Sequence, residues 1–168
     1  RIVFDSTHQR WIAAESSYDC FPGGGAAHGH GYLDFAISET ADPTGNWTVY
    51  FFVYNDRLPR DITIGTSTDK VALGAGISPL NACNPDIWFV TTDTLVMMWS
   101  ALIAEAPLAD YYSVEPIADY MNQVFLAPTV TTSNVVHQIV EQVGVYSTYY
   151  HQTLSGAVPN TVLSRDPV

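Results

Sequence analysis

Two histidines separated by one glycine, His28-Gly29-His30, close a glycine-rich stretch that opens Phe21-Pro22-Gly23-Gly24-Gly25. Imidazole is the commonest protein ligand for transition metals, so the pair is a candidate metal site. In an irregular loop the two rings need a bend between them to meet on one ion, and Gly29 permits it. The alternative is a surface loop with two solvated histidines. No lysine follows the glycines, so they are not a phosphate-binding loop. Glycoside hydrolysis would need two carboxylates roughly 5–10 Å apart, or a tyrosine nucleophile with an acid and an arginine cluster. Acids stand at Asp5, Glu15, Asp19, Asp34, Glu39, Asp42, Asp110, Glu115 and Glu141, and tyrosines at Tyr32 and Tyr112. Arg1, Arg10, Arg57, Arg60 and Arg165 show no spacing that gathers three of them, and no Gly-x-Ser-x-Gly nucleophile elbow occurs.

Aromatic side chains are the other candidate binding groups. Tyr111-Tyr112 and Tyr149-Tyr150 carry rings of the kind that stack on sugar faces or anchor protein interfaces, and consecutive tyrosines on a strand cannot all point inward. Trp11, Trp47, Trp88 and Trp99 fit core packing. Cys20 and Cys83 both lie in loop-like surroundings. In an extracellular chain an even cysteine count makes a disulfide the default, and closing so long a loop contributes on the order of 4 kcal/mol. Two free thiols are the alternative, and the absence of Cys-x-x-Cys spacing disfavours zinc.

These groups need elements to position them, and the composition supports a core. The chain has 168 residues, 47% hydrophobic and 12% aromatic, enough for one domain. Six Lys and Arg stand against seventeen Asp and Glu, a formal net charge of −11. That balance opposes binding to nucleic acid and to anionic lipid. The longest apolar stretch, around 95–104, is too short for a membrane-spanning helix. Few lysines, many Thr, Ser, Tyr and Asn, and the acidic balance fit an extracellular or cell-surface location. The chain opens on Arg1 without a leader, which is read as a removed leader or a piece of something longer.

Strand patterns occur at 2–4, 10–16, 32–38 and 48–54, and the last two flank a turn, Thr40-Ala41-Asp42-Pro43-Thr44-Gly45-Asn46-Trp47. Asp42 is suited to accept backbone N–H groups there, Pro43 presets φ, Gly45 is expected in a left-handed conformation, and Trp47 folds back over the hairpin end. Asp42, Gly45 and Trp47 therefore read as structural. Further strand patterns at 61–66, 70–75, 86–91, 112–116, 122–127, 134–140 and 143–146 give three β-rich units, about 1–56, 57–110 and 111–152. The tail, 153–168, reads as a linker or an exchanging strand. One helix is expected over 92–106, with a Thr92 or Asp93 cap and Pro107 as a stop.

The turn resembles the Asp-box of sialidase-like β-propellers, a Ser/Thr-x-Asp-x-Gly-x-Thr-Trp hairpin. Thr40, Asp42 and Trp47 match, with the glycine one place later at Gly45 and Asn46 in place of the second threonine. The order Phe4-Asp5, Arg10-Trp11, then Ser38-Glu39-Thr40-Ala41-Asp42-Pro43-Thr44-Gly45-Asn46-Trp47 is also similar to a blade of large secreted bacterial propeller-like proteins. The resemblance implies an all-β fold of antiparallel propeller-like blades. Three blades do not close a ring, so the expected partners are copies of the chain or the remainder of a larger propeller. The function expected is a non-catalytic binding or assembly module acting through exposed aromatics and sheet edges, with carbohydrate or a surface polymer as a further partner and no cofactor beyond a metal ion at His28 and His30. The alternatives are a sialidase-type glycoside hydrolase or a metal-using site.

Overall fold

The computed structural model describes residues 1–21, 28–81, 84–85, 91–105, 112–114, 122–126, 131, 133–142, 148–158 and 160–167. The fold is all-β and antiparallel, with one short helix. Strands β1 (Ile2–Asp5), β2 (Arg10–Phe21), β3 (His28–Ser38) and β4 (Trp47–Asn55) form the first sheet in that order. The second contains β5 (Arg57–Thr66), β6 (Lys70–Asn81), the two-residue β7 (Asn84–Pro85) paired to β6, β8 (Thr91–Met98) and, after helix α1 (Trp99–Ile103), β9 (Tyr112–Val114). The third runs β10 (Asn122–Leu126), β11 (Val136–Gln142), β12 (Thr148–Ser155) and β13 (Val162–Pro167). Each sheet is an up-and-down meander, which needs only local connections.

The period of two along each strand explains how the sheets pack. On β6, Val71, Leu73, Ala75 and Ile77 join Leu95 and Met97 of β8 against Ile12, Ala14, Leu33, Phe35 and Ile37 of the first sheet. The alternate residues Ala72 and Val96 pack instead with Val136 and Leu154 of the third sheet. The second sheet is therefore the middle layer, and residues 70–78 of β6 and 92–97 of β8 are buried without exception. Gly31 sets how closely the first two sheets approach. A Cβ there would lie 2.1 Å from the Arg57 carbonyl oxygen and 2.8 Å from Leu58 Cα, so a side chain would have to part the layers.

One turn ties the layers together. Ser67 N–H donates to the Lys70 carbonyl (2.9 Å), and Lys70 N–H donates to Ser67 Oγ (3.1 Å). Lys70 is fully buried, and its Nζ donates to both Asp69 carboxylate oxygens (2.7 Å each) and to the Asn134 carbonyl of the third layer (2.6 Å). Toward the first layer, His8 Nε2 lies 3.1 Å from the Thr68 carbonyl, and the His8 ring stacks on Trp99 at 4.1 Å. Trp99 in turn donates its Nε1–H to the Ser67 carbonyl (3.1 Å).

Several expectations change. Helix α1 starts at Trp99, and residues 92–98, expected to be its first half, belong to strand β8 (Thr91–Met98). Burial between two layers suits the β-branched Thr92, Thr94 and Val96 and outweighs the helix preference of Leu95, Met97 and Met98. Tyr112–Val114, expected to open the third unit, pairs with β8 and belongs to the second sheet. The tail is neither linker nor exchanging strand, because β13 pairs with β12 from Ser155↔Val162 to Tyr150↔Pro167. Among the described residues no helix is long and apolar enough to cross a membrane.

Lys70 is fully buried while its partner Asp69 is partly exposed, so removing Asp69 strands a buried charge. Asp69→Ala should lower stability by about 3 kcal/mol, read from the urea midpoint and slope. An unchanged midpoint would mean that Lys70 does not depend on this carboxylate.

Candidate functional site

The outward face of the first sheet gathers most of the chemistry-bearing side chains of that layer. Register places Glu15 opposite Asp34, Ser17 opposite Tyr32 and Asp19 opposite His30, and the β4 partners of those β3 residues are Phe51, Val53 and Asn55. The rungs toward the other end are small and apolar, Ile2 opposite Ala13 and Ala36 opposite Val49. Side chains two residues apart share a face, so these rungs form one surface, polar over β2 and β3 and apolar along β4. A depression of about 370 Å³ lies where the alanines sit, lined by Arg1, Ala13, Glu15, Asp34, Ala36 and Val49 among others.

Asp19 organises the polar end. Its Oδ1 accepts the His30 backbone N–H at 2.9 Å and stands 3.2 Å from His30 Nδ1, while Oδ2 accepts the Tyr32 hydroxyl at 2.6 Å. The Tyr32 bond, followed by the His30 donors, holds the Asp19 carboxyl below the usual carboxylate range against the opposing effect of desolvation. The same bond to Asp19, with burial, raises the Tyr32 phenol. A phenol made harder to ionise is the reverse of an activated nucleophile. Arg1 is the one arginine lining the depression, and its Nε donates to the Ile62 carbonyl at 3.3 Å.

His28 and His30 lie in β3 and not in an irregular loop. A regular strand there removes the irregular loop that Gly29 is expected to bend. Gly29 has another role: a Cβ there would lie 2.6 Å from Leu80 Cδ2 and 2.7 Å from the Asp19 carbonyl oxygen. Among the described residues no group of three His, Cys, Asp or Glu is placed to hold a metal. Tyr149 is 47% exposed, whereas Tyr150, next to it on β12, belongs to the opposite face, so the two do not form one patch. Tyr112 begins β9, and Tyr111 and Cys83 lie outside the described residues. Cys20 ends up opposite Gly29 in the β2–β3 ladder, so its pairing with Cys83 stays an expectation.

The Asp42 turn closes the other end of the sheet. Asp42 Oδ1 accepts the Thr44 N–H at 2.9 Å and the Thr44 hydroxyl at 2.7 Å, and the Trp47 indole folds back to donate to the Pro43 carbonyl at 3.1 Å. Trp11 braces it from β2 by donating its indole N–H to the Ala41 carbonyl at 2.8 Å. Gly45 differs from expectation. Among the described glycines only Gly156 has a positive φ, 80°, and a Cβ on Gly45 would meet nothing nearer than the Asp42 carbonyl oxygen at 3.4 Å. The turn is closed by the Gly45 N–H bond to that oxygen (3.3 Å) without a left-handed residue.

The exposed row Val49, Phe51 and Val53 is the part of this face that motif reading misses. Its signal is present in the sequence: Val49-Tyr50-Phe51-Phe52-Val53 is apolar without alternation, the pattern of a strand covered on both sides. Compared with known proteins, the chain matches no family model, no curated protein and no solved structure.

The Thr44 backbone bond first, and its hydroxyl second, lower the Asp42 pKa from 3.8. A depressed folded value stabilises the fold above the unfolded pKa, and that contribution is lost as pH falls through the folded one. The melting-temperature gap between the unsubstituted chain and Asp42→Asn should therefore be full at neutral pH and close in acid below 3.8. A gap that is independent of pH would show that the carboxylate charge is not what holds the turn.

Proposed function

We propose that this chain is a non-catalytic assembly module of a secreted or surface protein, a stack of blade-like sheets that receives one further β-sheet on the outward face of its first sheet. One observation carries this reading. Strand β4 is apolar on both faces but covered on one: Tyr50, Phe52 and Tyr54 pack on the core, while Val49, Phe51 and Val53 are 65%, 67% and 50% exposed, with Ile2 at 60%. Contiguous apolar surface of this kind marks an interaction site, and the middle sheet of the same chain meets the same demand with a layer on each side.

For the chain alone, the occupant is a second copy related by a two-fold axis. The face is self-complementary, because the depression over Ala13 and Ala36 lies beside the projecting Phe51 ring. A two-fold pairing seats each Phe51 in the other copy's alanine trough. Such a contact has to bury more than about 1,000 Å² to persist. The resemblance to propeller blades agrees, since blades stack face to face, and in a larger propeller the adjoining blade would take the same place.

Glycoside hydrolysis is the second reading, favoured by one observation, the adjacency of Glu15 and Asp34 beside Arg1 in the depression. The raised Tyr32 phenol weighs against its sialidase-type form. Sugar release from a glycoside, abolished by Glu15→Gln, would carry it.

Sedimentation velocity tests the first reading. The unsubstituted chain should form a dimer at micromolar concentration. Phe51→Asp, placed at an exposed position that the fold does not need, should sediment as a monomer with an unchanged circular dichroism spectrum. A compact monomer throughout, or a dimer indifferent to Phe51→Asp, would overturn it.

A further inference from the structure

The outward face of the third sheet carries a pair of histidines that no part of this reading uses. Strands β11 and β12 each contain a His-Gln dipeptide, His137-Gln138 and His151-Gln152. Their antiparallel register puts Gln138 directly opposite Gln152, and His137 and His151 opposite Thr153 and Ile139. The glutamines face inward, are 1% exposed, and bond to each other, Gln138 Nε2 donating to Gln152 Oε1. A slip of one residue would expel both buried amides, so this pair pins the register of the two strands. On the other face the pinned register leaves the histidines as diagonal neighbours, both half-buried, with His137 Nδ1 2.9 Å from His151 Nε2.

The rings are almost parallel, at 4°, with centroids 5.1 Å apart. With the nitrogens so close, that centroid separation places the imidazoles edge to edge, each presenting a nitrogen to the other. One nitrogen carries the proton and the other offers its lone pair. Two imidazoles held this close become a bidentate ligand once both rings turn to aim their nitrogens at a common point. Metal–imidazole bonds of about 2.0 Å put two ligand nitrogens about 2.8 Å apart at a right angle and about 3.3 Å apart at a tetrahedral one. The observed 2.9 Å matches the right angle, the geometry of neighbouring sites on a tetragonal ion.

We propose that His137 and His151 form a binding site for a divalent transition-metal ion of tetragonal preference, copper(II) first. Imidazole suits this ion, and copper(II) heads the divalent affinity series. Among the described residues no third His, Cys, Asp or Glu joins the pair, and the half-buried face leaves the remaining positions of the ion open to water. Binding exchanges the N–H···N hydrogen bond for two metal–nitrogen bonds. Both rings turn so that their lone pairs meet on the ion above the sheet, and the bridging proton moves through solvent to the outer nitrogen of its own ring. The neutral pair thus binds the metal without net proton release.

Titration of the full chain with copper(II) alone, followed by calorimetry, tests the site. Saturable binding is expected, weakened at least tenfold by His137→Ala or by His151→Ala and unchanged by His30→Ala. Because substitutions can perturb a sheet, the unsubstituted chain supplies a second measurement, the electron paramagnetic resonance spectrum of bound copper(II), which should show coupling to two imidazole nitrogens. No saturable binding, affinity indifferent to both alanine variants, binding lost instead in His30→Ala, or a spectrum without imidazole coupling would each overturn the proposal.

Discussion

The paired strands β6 and β8 at the centre of the middle sheet have no face for water over residues 70–78 and 92–97, and the arrangement of the chain follows from that constraint. Residues 70–78 of β6 are buried whichever way their side chains point. A strand of this kind is stable only with a layer on each side, because its apolar groups and its backbone polar groups both need cover. The first and third sheets are those layers. The inward residues of β2 and β3 meet one face, and Val136 and Leu154 meet the other. Gly31 and the Asp69–Lys70 turn are consequences of the same demand. The glycine removes the side chain that would hold the layers apart, and the lysine carries its charge into the stack only because Asp69 and the Asn134 carbonyl receive it.

The same constraint identifies what is unusual about β4. Its residues alternate between two faces that are both apolar, yet, unlike β6, which is buried on both faces, β4 is covered on only one. The polar groups beside it hold one another in place. Asp19 takes the donors of His30 and Tyr32, and Ser17 donates to Asp34 at 2.7 Å. A raised phenol and a lowered carboxyl are the signs of a satisfied network. Assembly through this face needs no reacting group, whereas hydrolysis there would need an activated one.

Much of this architecture was legible in the residues. The continuous apolar run of β4 and the Asp42-Pro43 turn marked a hairpin, and the turn bonds of Asp42 and Trp47 are of the expected kind. What failed did so where tertiary context decides. Leucine and methionine in residues 95–98 favour a helix by propensity, but the segment lies between two layers and becomes β8. Gly45 suggested a left-handed turn that a simple hydrogen bond replaces. His28 and His30 read as loop residues because glycines precede them, although β3 begins at His28. The meeting of His137 and His151 depends on register, which no single strand reveals, and the buried Gln138–Gln152 pair that sets it reads in sequence as two polar surface residues.

Hydroxyl-radical footprinting of the assembled and the dilute chain tests the central claim most directly, because it reports which side chains lose solvent without altering any of them. If a further sheet seats on the first layer, labelling of Phe51 should fall several-fold on assembly, while labelling of Tyr149 on the third layer stays as it is in the dilute chain. Phe51 labelled equally in both states, or protection confined to Tyr149, would contradict the account.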